Sequence, residues 1–141
     1  MASYAGAVAA MQDRMRQAWT TTPLAFQNEP FDRPDSPWVY FEVLTNESEL
    51  RGAGTPGDNI WLYEGHILAH VFVPVNSGLV LALEYADSIG EIFRAAGFYN
   101  DGQGSIVRTG SPRTDGGGTA SDDGNWYRLT CTIPFEFYHR G

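Results

Sequence analysis

The chain reads as an α+β protein: a mainly antiparallel β-sheet packed against two α-helices, with a projecting β-hairpin arm, all in a single domain over residues 1–141. Three features point there. Two stretches, near residues 3–19 and 79–96, carry apolar side chains at helical spacing. Several extended runs rich in β-branched and aromatic residues lie between and after them. The last run, Trp126 to Tyr138, sets Tyr127, Leu129, Cys131, Ile133 and Phe135 on one side and Arg128, Thr130 and Thr132 on the other, the alternation of a strand with one buried face.

Taken in order, the first helix is capped by Ser3 and stripes Tyr4, Val8, Met11, Met15 and Trp19 along one face. Pro23, after Thr20 to Thr22, stops it. Leu24 to Gln27 is a short strand, and the prolines of the following 28–37 segment enforce an extended turn. Trp38 to Leu44 is a second strand, with Val39, Phe41 and Val43 on one face and an extension toward Arg51. Gly52 to Asp58 (GAGTPGD) is a flexible loop, longer than a hairpin needs.

The organising unit is Asn59 to Ala96. Its strand runs from Ile60 to Val75, with Trp61, Tyr63, Ile67, Val71 and Val73 on one side and Leu62, His66, Leu68, His70 and Phe72 on the other. Neither side is polar, so both are expected to be covered, by helices or by another subunit. Pro74 closes the strand and Ser77 is placed to cap the second helix, in which Leu79, Leu83, Ala86, Ile89, Ile92 and Phe93 recur at helical spacing. Gly97 supplies its stop. Phe98 and Tyr99 fold back onto the core, Ser105 to Thr109 is a short strand, and residues 110–125 read as a mobile loop.

Composition narrows the function. With 141 residues, 43% of them hydrophobic, the chain is long enough for a sizeable core. Its net charge is −8, and all nine basic residues are arginine. That balance argues against binding nucleic acid through phosphates. The absence of lysine fits genomic base composition better than function. No stretch reads as a signal peptide or reaches membrane-spanning length, so the expectation is a soluble protein with no membrane partner.

The residues offer little chemistry. Cys131, the single cysteine, lies in an apolar strand and reads as a buried structural thiol. His66 and His70 share a strand face but sit about 13 Å apart, too far to share a metal. Asp115, Asp122 and Asp123 lack the ligand spacing of a calcium loop, and Gly116 to Gly118 has neither the lysine nor the helix of a phosphate loop. No nucleophile elbow occurs. The expectation is no enzyme activity, no cofactor and no metal.

Several stretches together resemble the tail terminator, or tail completion, proteins of long-tailed bacteriophages. They are AWTTTPLAF at the end of the first helix, QNEPF at 27–31, PWVYFEV at 37–43, EGHILAHVFVPVNSG at 64–78, ALEYADSIGEIFR at 82–94 and NWYRLTCTIPFEFY at 125–138. The 110–124 loop is longer than the pattern needs. The resemblance implies a structural virion protein at the head-proximal end of the tail, assembled in the host cytoplasm. It implies a homohexameric ring that ends growth of the tail tube and joins it to the head-side connector or neck protein, with DNA passing through unbound. The alternatives are a head-completion or neck connector protein, and a small ligand-binding domain. The arm is the expected oligomer or tube interface, through Arg51, Gly52, Gly54, Thr55, Pro56, Gly57 and Asp58 and the flanking Trp61 and Tyr63, with strand addition satisfying its backbone.

Overall fold

The computed structural model describes residues 2–52, 54–119 and 124–141. The elements in chain order are α1 (Tyr4–Ala18), β1 (Leu24–Phe26), β2 (Trp38–Gly52), β3 (Ile60–Pro74), α2 (Val80–Phe93), β4 (Gly97–Phe98), β5 (Ile106–Thr109), β6 (Arg113–Thr119) and β7 (Trp126–Arg140). The seven strands form one sheet in the order β1-β2-β3-β7-β5-β4, and β6 also pairs with β7. Every pairing is antiparallel except β1 with β2. The architecture is therefore α+β.

Both helices lie on one side of the sheet. α2 packs on β3 and β7, and α1 packs on α2 and β7. The core between them holds Met11 and Met15 of α1, Ile89 and Phe93 of α2, and Phe41, Ile67, Val71, Ile133 and Phe137 of the sheet. Each such side chain contributes about 1.5–3 kcal/mol on leaving water. The alternation read from the sequence places Phe41, Ile67, Val71 and Ile133 correctly, and Phe137 continues the same face of β7. The other side of β3, with His66, Leu68, His70 and Phe72, is half-buried and carries no helix among the described residues.

Ser3 caps α1, its hydroxyl accepting from the Gly6 amide at 3.0 Å. The ends of α2 differ from expectation. Ser77 does not cap it: its hydroxyl donates to the Pro74 carbonyl, inside a turn where Asn76 and Gly78 take left-handed φ of 67° and 91°. That turn delays the helix to Val80, after Leu79, which makes no side-chain cap. At the other end the left-handed residue is Ala95 (φ 46°), and Gly97 opens β4. Thr109 closes this end from a distant strand. Its hydroxyl donates to the Phe93 carbonyl and accepts from the Ala96 amide at 3.0 Å.

The largest correction is at 110–125. Arg113 to Thr119 is not a loop but β6, paired with the first half of β7. Three glycines concealed it, because strand periodicity is read from side chains. Residues 120–123, which include Asp122 and Asp123, lie outside the described residues.

β6 and β5 divide the far edge of β7 between them. β6 pairs with Tyr127–Thr132 and β5 with Phe135–Tyr138. Pro134 sits in the gap, where its carbonyl accepts from the Gly110 amide at 2.9 Å. In a strand, a residue's amide and carbonyl positions point the same way, so the missing N–H of Pro134 faces the gap and no ladder bond is lost. This is how a proline fits inside a strand flanked on both sides.

Candidate interaction surface

The hairpin of β2 and β3 is present, and its two strands have different surroundings. β3 lies along β7 to its end, from Pro74 opposite Trp126 to Ile60 opposite Arg140. β2 is covered by β1 only at Val39–Phe41, and from Leu44 to Arg51 every residue is exposed. Leu44 and Leu50 keep 44% and 50% of their surface in water, high for leucine in a strand.

A bulge re-aims this free stretch. Thr45 opposes Gly65 but Glu47 opposes Glu64, which leaves Asn46 unpaired in the ladder. Gly65 makes the bulge possible, since a β-carbon there would strike the Leu44 carbonyl oxygen. The direction of the backbone groups follows from two fixed points. Asn59 and Gly141 exchange both backbone bonds, so by alternation Trp61 and Tyr63 also bond to β7 and turn away from β2. Their partners on β2, Leu50 and Ser48, therefore point their amides and carbonyls outward. At the other end the Val43 amide points outward too, where the Gln27 side chain accepts it at 2.8 Å. Beyond Gln27, no described residue bonds to the free edge at Ser48 or Leu50.

The residues expected at the arm divide into two groups. Arg51, Gly54, Thr55, Pro56 and Gly57 are exposed, with Gly52 half-buried at their base. Trp61 and Tyr63 serve the protein's own packing. The Trp61 indole donates to the Gly141 carbonyl at 3.1 Å, and Tyr63 stacks on Tyr4, with ring centroids 5.1 Å apart. Tyr4 also reaches Thr45 of β2, so α1 braces the hairpin at its middle. The two charged residues of the arm are engaged within the chain: Arg51 pairs with Glu49 at 3.4 Å and Asp58 with Arg140. Arg140 also donates to the Gln103 carbonyl at 3.2 Å and so joins two loops.

Hydrogen bonding and charge from Arg140 hold the Asp58 carboxyl below its usual range. A carboxyl whose pKa is lowered by folding favours the folded state above its unfolded value, near 3.9, and loses that contribution as pH falls through the folded value. The NMR titration midpoint of Asp58 should lie below about 3.9 and return to it in Arg140→Met. An unchanged midpoint would mean the pair is absent in solution.

The helix-free side of the sheet carries an unusual row. Glu47, Glu64 and Glu136 stand directly opposite one another on β2, β3 and β7, and Arg108 of β5 ends the row. Like charges directly opposite in a sheet are destabilising. Glu136 accepts from the Tyr138 hydroxyl at 2.7 Å, while Glu64 at the centre has a glutamate on each side. Glu64→Gln should raise the unfolding free energy by about 0.2–1 kcal/mol, more at low salt than at high. A loss of stability would show that the row is neutralised by a contact of Glu64.

His66 and His70 share this side, as expected, and engage separate partners. His66 Nδ1 lies 3.3 Å from the Asn46 amide nitrogen. His70 bridges Glu42 at 2.8 Å and the Thr130 hydroxyl at 2.9 Å, under the ring of Tyr40. This carboxylate–imidazole–hydroxyl order is that of a hydrolase triad, but its members sit on three paired strands and stitch β2, β3 and β7 together. Sequence reading missed it because the three positions belong to separate strands. His139 stacks on Phe137. Among the described residues no cluster of three metal-ligating side chains occurs. Asp115 is paired with Arg113 at 3.1 Å.

Cys131 is buried against Gly90 of α2. Burial, then the negative charge of Asp87, pushes its thiol up to about 11. Iodoacetamide at pH 8 should leave the native protein unlabelled and label it once unfolded. Rapid native labelling would contradict this burial.

A family model described as phage tail terminator protein matches residues 7–135. No curated protein matches. Nineteen chains of solved structures match. One of them, 19% identical, aligns over 97% of this chain and 96% of its own with a TM-score of 0.71, a likeness of fold.

Proposed function

The chain belongs to the phage tail terminator family, a family of structural phage-tail proteins, and we propose that it forms a ring at the head-proximal end of the tail tube. There it ends tube polymerisation and presents a joint to the head-side connector. The observation that carries this reading is the family match itself, which runs from α1 into β7 and takes in both helices and nearly the whole sheet. In this reading residues 1–141 act as one domain, six copies close the ring, and the protein is a non-enzymatic component of the virion tail that needs no cofactor. The acidic balance of −8 suits a passage through which DNA moves without sticking. The exposed hairpin loop, Arg51 to Asp58 with Ala53 outside the described residues, is the contact to a neighbouring subunit or to the tube.

Negative-stain microscopy of the purified protein with and without tail tubes tests the reading. A ring capping one end of the tubes is expected. A protein that stays monomeric beside assembled tubes, or that binds DNA-filled heads and not tubes, would overturn it. The loop gives a second handle. Replacing Gly52–Gly57 by a two-residue turn should leave the melting temperature within a few degrees, since loop length costs little. Tails made with it should lose length control. Normal tails would remove the loop from the interface.

A further inference from the structure

We propose that the free edge of β2, from Thr45 to Gly52, is a strand-addition edge that takes the free edge of β6 from the next copy in the ring. This rests on the ring reading above and names the surfaces that close the ring.

The edge is equipped to pair. Ser48 and Leu50 turn their amides and carbonyls outward, where nothing described receives them. Backbone groups in this arrangement are a template for another strand. The edge is also protected against a copy of itself. Antiparallel pairing of two β2 edges centred on Ser48 would set Glu47 of each copy opposite Glu49 of the other, and like charges directly opposite are destabilising. A symmetric dimer through this edge is disfavoured, and a heterologous partner, which a ring requires, is favoured.

The chain's other free edges select the partner. β1 has three residues and β4 has two, too short to cover eight. β6 has seven and, among the described residues, pairs on one side only, with β7. At about 3.3 Å per residue, the two edges run about 26 and 23 Å. Gly116 and Gly118 put no side chain in the way of the two glutamates, and a β-carbon at either would meet nothing within 4 Å. The sheet would then continue from one subunit into the next, edge to edge around the ring.

Chemical crosslinking on assembled tails tests this. Glu49→Cys chains and Gly118→Cys chains, mixed in equal amounts and treated with a short bismaleimide, should give a linked pair of copies, while the buried Cys131 stays silent. A chain carrying both substitutions should give a ladder ending in a closed ring. Ser48→Pro removes an outward N–H without touching the β3 ladder. It should keep the monomer's circular dichroism and melting temperature, and abolish rings. Three results would overturn the proposal: linkage in Glu49→Cys alone, linkage to the tube subunit instead of a second copy, or normal rings from Ser48→Pro. Rings linked as expected that never cap tubes would leave the edge pairing standing and sink the tail-end function.

Discussion

Gly65→Ala should lower the unfolding free energy by about 3 kcal/mol, the upper end of what overpacking costs, and narrow or abolish the folded range in urea. The residue lies at the crossing of two close approaches. A β-carbon there would collide with the Leu44 carbonyl oxygen on one side and come within 2.9 Å of the Phe135 ring on the other. Neither neighbour yields easily. Leu44 belongs to backbone held in the β2–β3 ladder, and Phe135 is 2% exposed in the core. Relaxation therefore has to come from the bulge, which would shift Asn46 and with it the outward phase of Ser48 and Leu50. A loss below about 1 kcal/mol would show that the hairpin moves aside freely and that its edge has no fixed phase.

Phe93→Ala should cost about 3–5 kcal/mol. Phe93 is fully buried and its ring meets Phe41 of β2 at 5.9 Å and Phe98 of β4 at 6.3 Å, with the Arg14 guanidinium 6.0 Å above it. One side chain thus ties α2 to β2 and β4, far apart in the sheet order, and to α1. Its carbonyl is also the acceptor of the Thr109 hydroxyl that closes the helix. The cavity left by alanine borders aromatic rings that cannot close over it without moving a strand. Equilibrium unfolding in guanidinium measures the effect. A loss under about 1 kcal/mol would mean that the helix layer collapses into the space.

These positions were unequally visible in the sequence. Phe93 is the last member of a helical stripe, so its burial was readable from spacing alone. So were the faces of β2 and β7, whereas β3, apolar on both sides, was expected to be covered on both and carries helices on one only. Gly65 carried no such signal. Its role depends on Leu44, twenty-one residues away in sequence and brought close only by hairpin register. β6 was missed for a related reason, because glycine gives no alternation to read. The caps of α2 failed because both depend on geometry: a left-handed turn absorbed Ser77, and Thr109 arrived from another strand.

The arm residues show the same division. The sequence located the hairpin and its loop, and the structure adds that Asp58 and Trp61 also bond within the chain, to Arg140 and Gly141. Available beside the loop are the backbone of β2 and its exposed leucines, which residue type does not announce. An edge is a property of strand order, and strand order appears only when all the pairings are known.

The full-length pairing of β3 with β7 also has a mechanical meaning. Fifteen opposed residue pairs, from Ile60–Arg140 to Pro74–Trp126, lie side by side without a break. A pull along the strand axes loads their hydrogen bonds in shear, all together, so none fails before its neighbours. A pull across the strands would open the same bonds one after another from an end. The protein is therefore stiff along β3 and weak across it. A ring built from such subunits would resist tension best where the strands run parallel to the load.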